Sequence, residues 1–180
     1  AKKYELELFG EEKKDGSILY GAFEKASGGV LLIDEVTEIP LETQSKILRV
    51  IIDQKFKRLN GNHDIKVDVR IFCSTSKDMS TEINNGHFRE DLFHRLNVFN
   101  IKIDPLTNRI EDIPLLINYF IENICNTYSY KKFSIQNNNY LLSYDWPGNV
   151  RELRNLIERI AILSPGDSQD KIINLSLIHI

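Results

Sequence analysis

The sequence predicts an α/β core built on a mostly parallel sheet, followed by an all-helical subdomain. Up to residue 106, short β-rich runs alternate with stretches of helical period, the pattern that gives a parallel sheet. Beyond Asp104-Pro105 the apolar residues recur only at helical spacing. With 180 residues of which 42 % are apolar, the chain has enough material to close a hydrophobic core. The predicted division is therefore 1–106 for the α/β part and 107–180 for the helical part.

Each element has its own signal. Val30-Leu31-Leu32-Ile33 is apolar on both faces, as a buried parallel strand should be. Pro40 suits a first helical position, and Leu41, Ile47, Leu48, Ile51 and Ile52 follow at helical spacing. Phe56 to Leu59, then Asn60-Gly61, then Ile65 to Val67 read as a hairpin, because Asn-Gly favours a type I′ turn. Val67–Cys73 and Val98–Ile103 read as further strands. In the second part, Ile113, Leu116, Ile117, Phe120, Ile121 and Ile124 make one apolar stripe. Val150, Leu153, Ile157, Ile160 and Ala161 make another, stopped at Ser164-Pro165-Gly166. A shorter helix is expected from Ser134 to Ser143.

Composition narrows the function. There are 23 basic and 26 acidic residues, so no overall positive field exists to hold a phosphate backbone. Autonomous nucleic-acid binding is therefore not expected. No apolar run approaches the roughly 20 residues of a membrane helix, and Ala1-Lys2-Lys3-Tyr4-Glu5 does not open a signal peptide. Two cysteines are too few for a disulfide framework, which fits a reducing cytoplasm. His63, His87 and His94 make no zinc-ligand spacing with Cys73 and Cys125.

Three constellations could carry chemistry. Gly28-Gly29-Val30-Leu31-Leu32-Ile33-Asp34-Glu35 ends an apolar strand in two carboxylates, at the sheet edge where open α/β folds bind ligands. In a nucleoside triphosphatase the first acid holds Mg²⁺ and the second orients water; the plainer reading is a strand end whose acids start a turn. Phe88 to Arg95 carries two arginines six apart, about 120° from each other on a helix. Either could reach a neighbouring subunit's phosphate, or Arg95 could simply pair with Asp91 at i,i+4. Trp146-Pro147-Gly148-Asn149-Val150-Arg151-Glu152-Leu153 offers Asn149 as an N-cap and Glu152 as its capping-box partner. Arg151 is then a cation in a first helical turn, placed against the macrodipole unless an anion binds there; the plainer reading is that it reaches Asp145 or solvent.

The order of these motifs resembles one family. Glu7-Leu8-Phe9-Gly10, the acids at 34 and 35, Glu42-Thr43-Gln44-Ser45-Lys46-Ile47-Leu48-Arg49-Val50, Val67 to Ile71, Phe88 to Val98, Arg109 to Leu116 and Trp146 to Leu153 run in the order and spacing of the AAA+ central domain of sigma-54-dependent transcription activators. Asp53 to Phe56 and Ser74 to Lys77 look most like its two-component response regulators. The resemblance implies the later part of an AAA+ parallel-sheet core with a helical lid, and ATP with Mg²⁺ as cofactors. It implies Asp34 and Glu35 as the Walker B acids, Asp34 on the metal and Glu35 on the attacking water. It makes Ser76 the sensor I residue, Arg89 and Arg95 arginine fingers, and Arg151 the sensor II residue. It implies self-association through AAA+ interfaces, RNA polymerase or a sigma factor as partner, and no membrane.

Three departures shape what is expected. No Gly-Lys-Ser or Gly-Lys-Thr occurs, and the chain begins after the family's Walker A loop, so these residues alone are expected to handle ATP poorly. The family's sigma-54 contact loop is replaced by the shorter Lys14-Asp15-Gly16-Ser17-Ile18-Leu19-Tyr20, which argues against sigma-54 remodelling. Ser76 stands where many members have asparagine, which shortens the reach toward a γ-phosphate and is expected to weaken hydrolysis. Two readings stay open: a fragment of an ATP-binding response regulator, or a truncated interaction module without ATPase activity.

Overall fold

The computed structural model describes residues 2–128, 133–136, 139–163 and 171–174, and the chain divides into two compact units, Ala1–Ile101 and Lys102–Ile180.

In the first unit, α1 (Lys2–Phe9) runs directly into an antiparallel hairpin of β1 (Gly10–Glu12) and β2 (Ile18–Tyr20). Gly10 has φ +72°, and a Cβ there would collide with the Leu19 carbonyl. The hairpin tip is tight: Lys13 N–H donates to Ser17 O at 2.9 Å, and Asp15 accepts from the Ser17 backbone and hydroxyl at 2.9 and 2.6 Å. Next come α2 (Ala22–Lys25), β3 (Gly29–Ile33), a 3-10 turn at Val36–Glu38 and α3 (Leu41–Asp53). The short pair β4 (Lys55–Phe56) and β5 (Ile65–Lys66), then β6 (Val69–Cys73), α4 (Met79–Asn84) and α5 (Glu90–Leu96), complete it. Pro40 occupies the N-cap of α3, and Asp78 caps α4 by accepting from the Thr81 hydroxyl at 2.6 Å and from Thr81 N–H at 2.8 Å; the hydroxyl first, then the backbone bond, holds the Asp78 carboxyl below its usual range.

Strands β3 and β6 pair in parallel with Gly29 opposite Val69 and Ile33 opposite Cys73. Leu31, Ile33, Val69 and Ile71 join a core with Ile47, Val50, Phe88 and Leu92, in which the rings of Phe9, Phe23 and Phe56 meet at centroid distances of 5.5, 5.6 and 6.0 Å. Fully burying such side chains contributes about 1.5–3 kcal/mol each, and this core is what places the ends of β3 and β6.

Three expectations are corrected here. Val30 and Leu32 are 56 % and 66 % exposed, so β3 is buried on one face only; no described element covers the other. Val98–Ile103 is not a strand: Val98, Phe99, Ile101 and Ile103 are mostly exposed, and a β-rich run with no partner among the described residues has no ladder to join. The Asn60-Gly61 turn is not type I′, since Asn60 alone has positive φ (60°), and Gly61 N–H closes the turn on Arg58 O at 3.0 Å. Leu59 is diverted from the β4–β5 hairpin because its backbone bonds Gly10 O at 3.0 Å and Glu12 N–H at 2.9 Å.

The second unit begins with a 3-10 turn at Leu106–Asn108 and continues with α6 (Asp112–Tyr128), β7 (Phe133–Gln136), α7 (Asn139–Ser143), α8 (Asn149–Leu163) and β8 (Lys171–Asn174), parallel to β7. The expected Ser134–Ser143 helix is thus a strand followed by a short helix. Both predicted stripes form the core: Ile113, Ile117 and Ile124 of α6 lie with Leu153, Ile157 and Ile160 of α8, together with Leu106 and Leu141. Trp146 is buried beside them and its indole N–H is satisfied by Leu141 O at 2.8 Å. The stop expected at Ser164-Pro165-Gly166 lies outside the described residues.

Candidate functional site

The register of β3 and β6 builds the site. With Ile33 opposite Cys73, the residues that follow, Asp34 and Ser74, meet at the carboxyl edge of the pair. Backbone bonds hold this edge: Ser74 N–H donates to Ile33 O at 3.0 Å, and Val36 N–H donates to Ser74 O at 2.9 Å. The Ser74 hydroxyl donates to Asp34 Oδ1 and accepts from Glu35 N–H at 3.3 Å. Ser76 N–H donates to Glu35 Oε2 at 3.0 Å. The Thr37 and Thr75 hydroxyls lie 3.1 Å apart across the same edge.

Glu35 sits in the left-handed region, with φ 50° and ψ 57°. A non-glycine residue held there is strained, and the bonds from Ser74 and Ser76 keep it in place. Beyond it, Lys77 Nζ lies 2.7 Å from Glu38 Oε1, and that bond raises the lysine pKa above its ordinary value. The sequence therefore identified three of the edge residues, Asp34, Glu35 and Ser76, and the structure brings them together. Ser76 contacts Glu35 through its backbone N–H. Ser74 was not singled out, although lining up the ends of the two expected strands would have found it.

The donor set at this edge decides whether it can take a divalent cation. Among the described residues no group of three or more acidic, histidine or cysteine side chains could form an all-protein cage. Mg²⁺ does not need one, since it typically takes one or two carboxylates and completes its shell with phosphate oxygens and water. The exposed Asp34 carboxylate, with one oxygen bonded to Ser74, fits that requirement.

Arg89 is the N-cap of α5 and not a residue within it, which corrects the picture of two arginines on one helix. Its guanidinium grips Asp91 with Nε–Oδ1 at 2.9 Å and Nη2–Oδ2 at 2.6 Å, which lowers the Asp91 pKa. Asp91 thus pairs with Arg89 and not with Arg95. The guanidinium of Arg95 is exposed and has no hydrogen bond or ion pair among the described residues. The backbone of Arg89 is fixed from below: its N–H donates to Oε1 of the fully buried Gln44 at 2.9 Å.

Arg151 lies in the second unit, exposed in the first turn of α8, and makes no ion pair with Asp145 among the described residues. The expected capping box is rearranged. Asn149, at φ 53°, turns its side chain to accept from Leu106 N–H at 2.8 Å, and Glu152 Oε2 accepts from Gly148 N–H at 2.8 Å. The tie to Leu106 competed with local capping and won.

No local sequence pattern marks the buried cation of the first unit. Arg58, 9 % exposed, bonds Glu24 through Nε at 3.0 Å and Nη2 at 2.5 Å, bonds Glu12 through Nη1 at 3.0 Å, and lies over the Tyr20 ring. It ties the β1–β2 hairpin, α2 and the loop after β4 into one piece.

The family described as "Sigma-54 interaction domain" matches residues 3–102, and "AAA+ ATPase lid domain" matches residues 107–177. The chain belongs to the sigma-54 activator family of AAA+ domains. The nitrogen assimilation regulatory protein NtrX of Azorhizobium caulinodans is 45 % identical over 168 residues, 92 % of this chain and 37 % of that protein. The regulatory protein AtoC of Escherichia coli is 41 % identical over 90 % of this chain and 36 % of its own length. A crystal structure of NtrX from Brucella abortus superposes with a TM-score of 0.92 at 44 % identity, over 99 % of this chain and 41 % of that one. NtrX of that organism has also been solved in complex with ATP, with a TM-score of 0.92 at 43 % identity and 40 % of that chain covered. This AAA+ chain thus spans well under half the length of these relatives, and the likeness to NtrX agrees with the response-regulator resemblance. No described helix is long and apolar enough to cross a membrane.

Proposed function

We propose that this chain is the ATP-handling AAA+ part of an NtrX-like two-component response regulator that controls transcription in the cytoplasm. The observation that carries this reading is the acid pair Asp34–Glu35, fixed at the end of β3 by Ser74 and Ser76 from the end of β6. The ATP and ADP complexes solved for NtrX of Brucella abortus support a nucleotide at this edge. In the complete protein Asp34 holds Mg²⁺ and Glu35 orients the attacking water. Bound there, Mg²⁺ supplies charge neutralisation at the phosphates. Ser76 senses the γ-phosphate side of the edge, Arg151 contributes from the lid, and Arg89 and Arg95 act toward a neighbouring subunit.

Self-association follows from those arginine roles, and DNA is contacted through a separate domain. The tight Lys13–Ser17 tip, where the family carries its sigma-54 contact loop, argues against sigma-54 remodelling, and the partner is RNA polymerase or a sigma factor.

The test uses the full-length protein, with ATP binding followed by calorimetry and turnover by phosphate release. Glu35→Gln should keep binding and slow turnover about 100-fold or more, while Asp34→Ala should weaken Mg²⁺-dependent binding as well. Identical profiles for the two variants would overturn the division of roles, and a wild-type protein that binds no ATP would overturn the function.

A further inference from the structure

The geometry points to Ser74 as a positioning residue that presents Asp34 to the divalent cation, an assignment that rests on the nucleotide reading above. Among the described residues the Ser74 hydroxyl is the one side-chain group that hydrogen-bonds both members of the acid pair: it donates to Asp34 Oδ1 and accepts from Glu35 N–H at 3.3 Å. Accepting from Glu35 commits the hydroxyl proton to Asp34, because each bond polarises the next. An exposed aspartate otherwise samples its staggered rotamers freely. With Oδ1 engaged, the carboxylate is oriented and Oδ2 is the oxygen left to take the metal. Partners of this kind orient ligands generally, and their loss typically costs 10- to 100-fold in metal affinity or activity.

A purely structural role is already filled by the backbone. Ser74 N–H to Ile33 O and Val36 N–H to Ser74 O join the two strand ends whatever side chain stands at 74. The hydroxyl adds nothing to that joint; what it adds is the orientation of Asp34 and the hold on the strained Glu35.

The experiment measures ADP affinity of the full-length protein by titration calorimetry across Mg²⁺ concentrations and in excess chelator. Ser74→Ala should raise the Mg²⁺ concentration for half-maximal tightening about 10-fold, leave affinity in chelator unchanged, and be rescued by Ser74→Thr. Should the alanine variant fail to fold, Ser74→Cys, with its weak donor, should show the same shift. An unchanged Mg²⁺ midpoint, an equal loss in chelator, or failure of threonine to rescue would overturn the assignment while leaving the nucleotide reading intact. A wild-type protein without Mg²⁺-dependent binding would overturn both.

Discussion

Arg89 and Asp91 form a two-point ion pair across the start of α5, at 2.9 and 2.6 Å, so the first of the two candidate finger arginines is engaged within its own subunit while Arg95, further along the helix, is free among the described residues. This asymmetry separates their roles.

Arg95→Ala in the full-length protein should still bind ATP and hydrolyse it about 10³-fold more slowly, because a finger stabilises charge that develops only in the transition state. Arg89→Ala should cost less, since Asp91 already neutralises its charge. Steady-state turnover with oligomers confirmed by light scattering checks this. An Arg95→Ala subunit mixed with a Glu35→Gln subunit should recover part of the activity; mixed oligomers with no recovery would place Arg95 within its own active site.

Gln44 sets where Arg89 starts. Its buried amide donates to Ile39 O at 2.7 Å and to His87 O at 3.0 Å and accepts from Arg89 N–H. Gln44→Ala removes three bonds and leaves buried groups unpaired, an expected loss of about 3 kcal/mol in urea unfolding. Gln44→Glu cannot donate to the two carbonyls and should rescue little of it.

Arg58→Met should destabilise the first unit by about 2 kcal/mol. It leaves the Glu12 and Glu24 carboxylates together without their cation, and their partial exposure keeps the loss below that of a fully buried pair. Arg58→Lys should recover only part, because an ammonium cannot reproduce the fork geometry. Urea midpoints at pH 7 compare the three proteins.

Burial pushes the Cys73 thiol up to about 11 from 9.0, so the neutral thiol is favoured in the fold. A Cys125→Ala protein should therefore react with iodoacetamide at pH 8 about 100-fold more slowly when folded than when unfolded. The sign for stability follows: because the folded pKa lies above the unfolded one, this contribution is present below the unfolded value and fades as pH rises toward 11. Labelling at equal rates in the two states would contradict the burial.

The sequence alone determined what depends on local period and strand ends. The α6 and α8 stripes were legible because Ile113, Ile117, Leu153 and Ile157 recur at the helical spacing that buries them. Asp34 and Glu35 were legible because an apolar run that stops in two acids marks the edge of a parallel sheet. Tertiary structure alone decided the rest. Ser74 meets Asp34 across 40 positions of chain only through the register of β3 and β6, and Arg58 finds Glu24 and Glu12 across 34 and 46 positions. Asn149 left its capping role for a bond to Leu106, 43 positions away. Val98–Ile103 has the composition of a strand but no ladder among the described residues, because period describes one chain segment while pairing and burial belong to two.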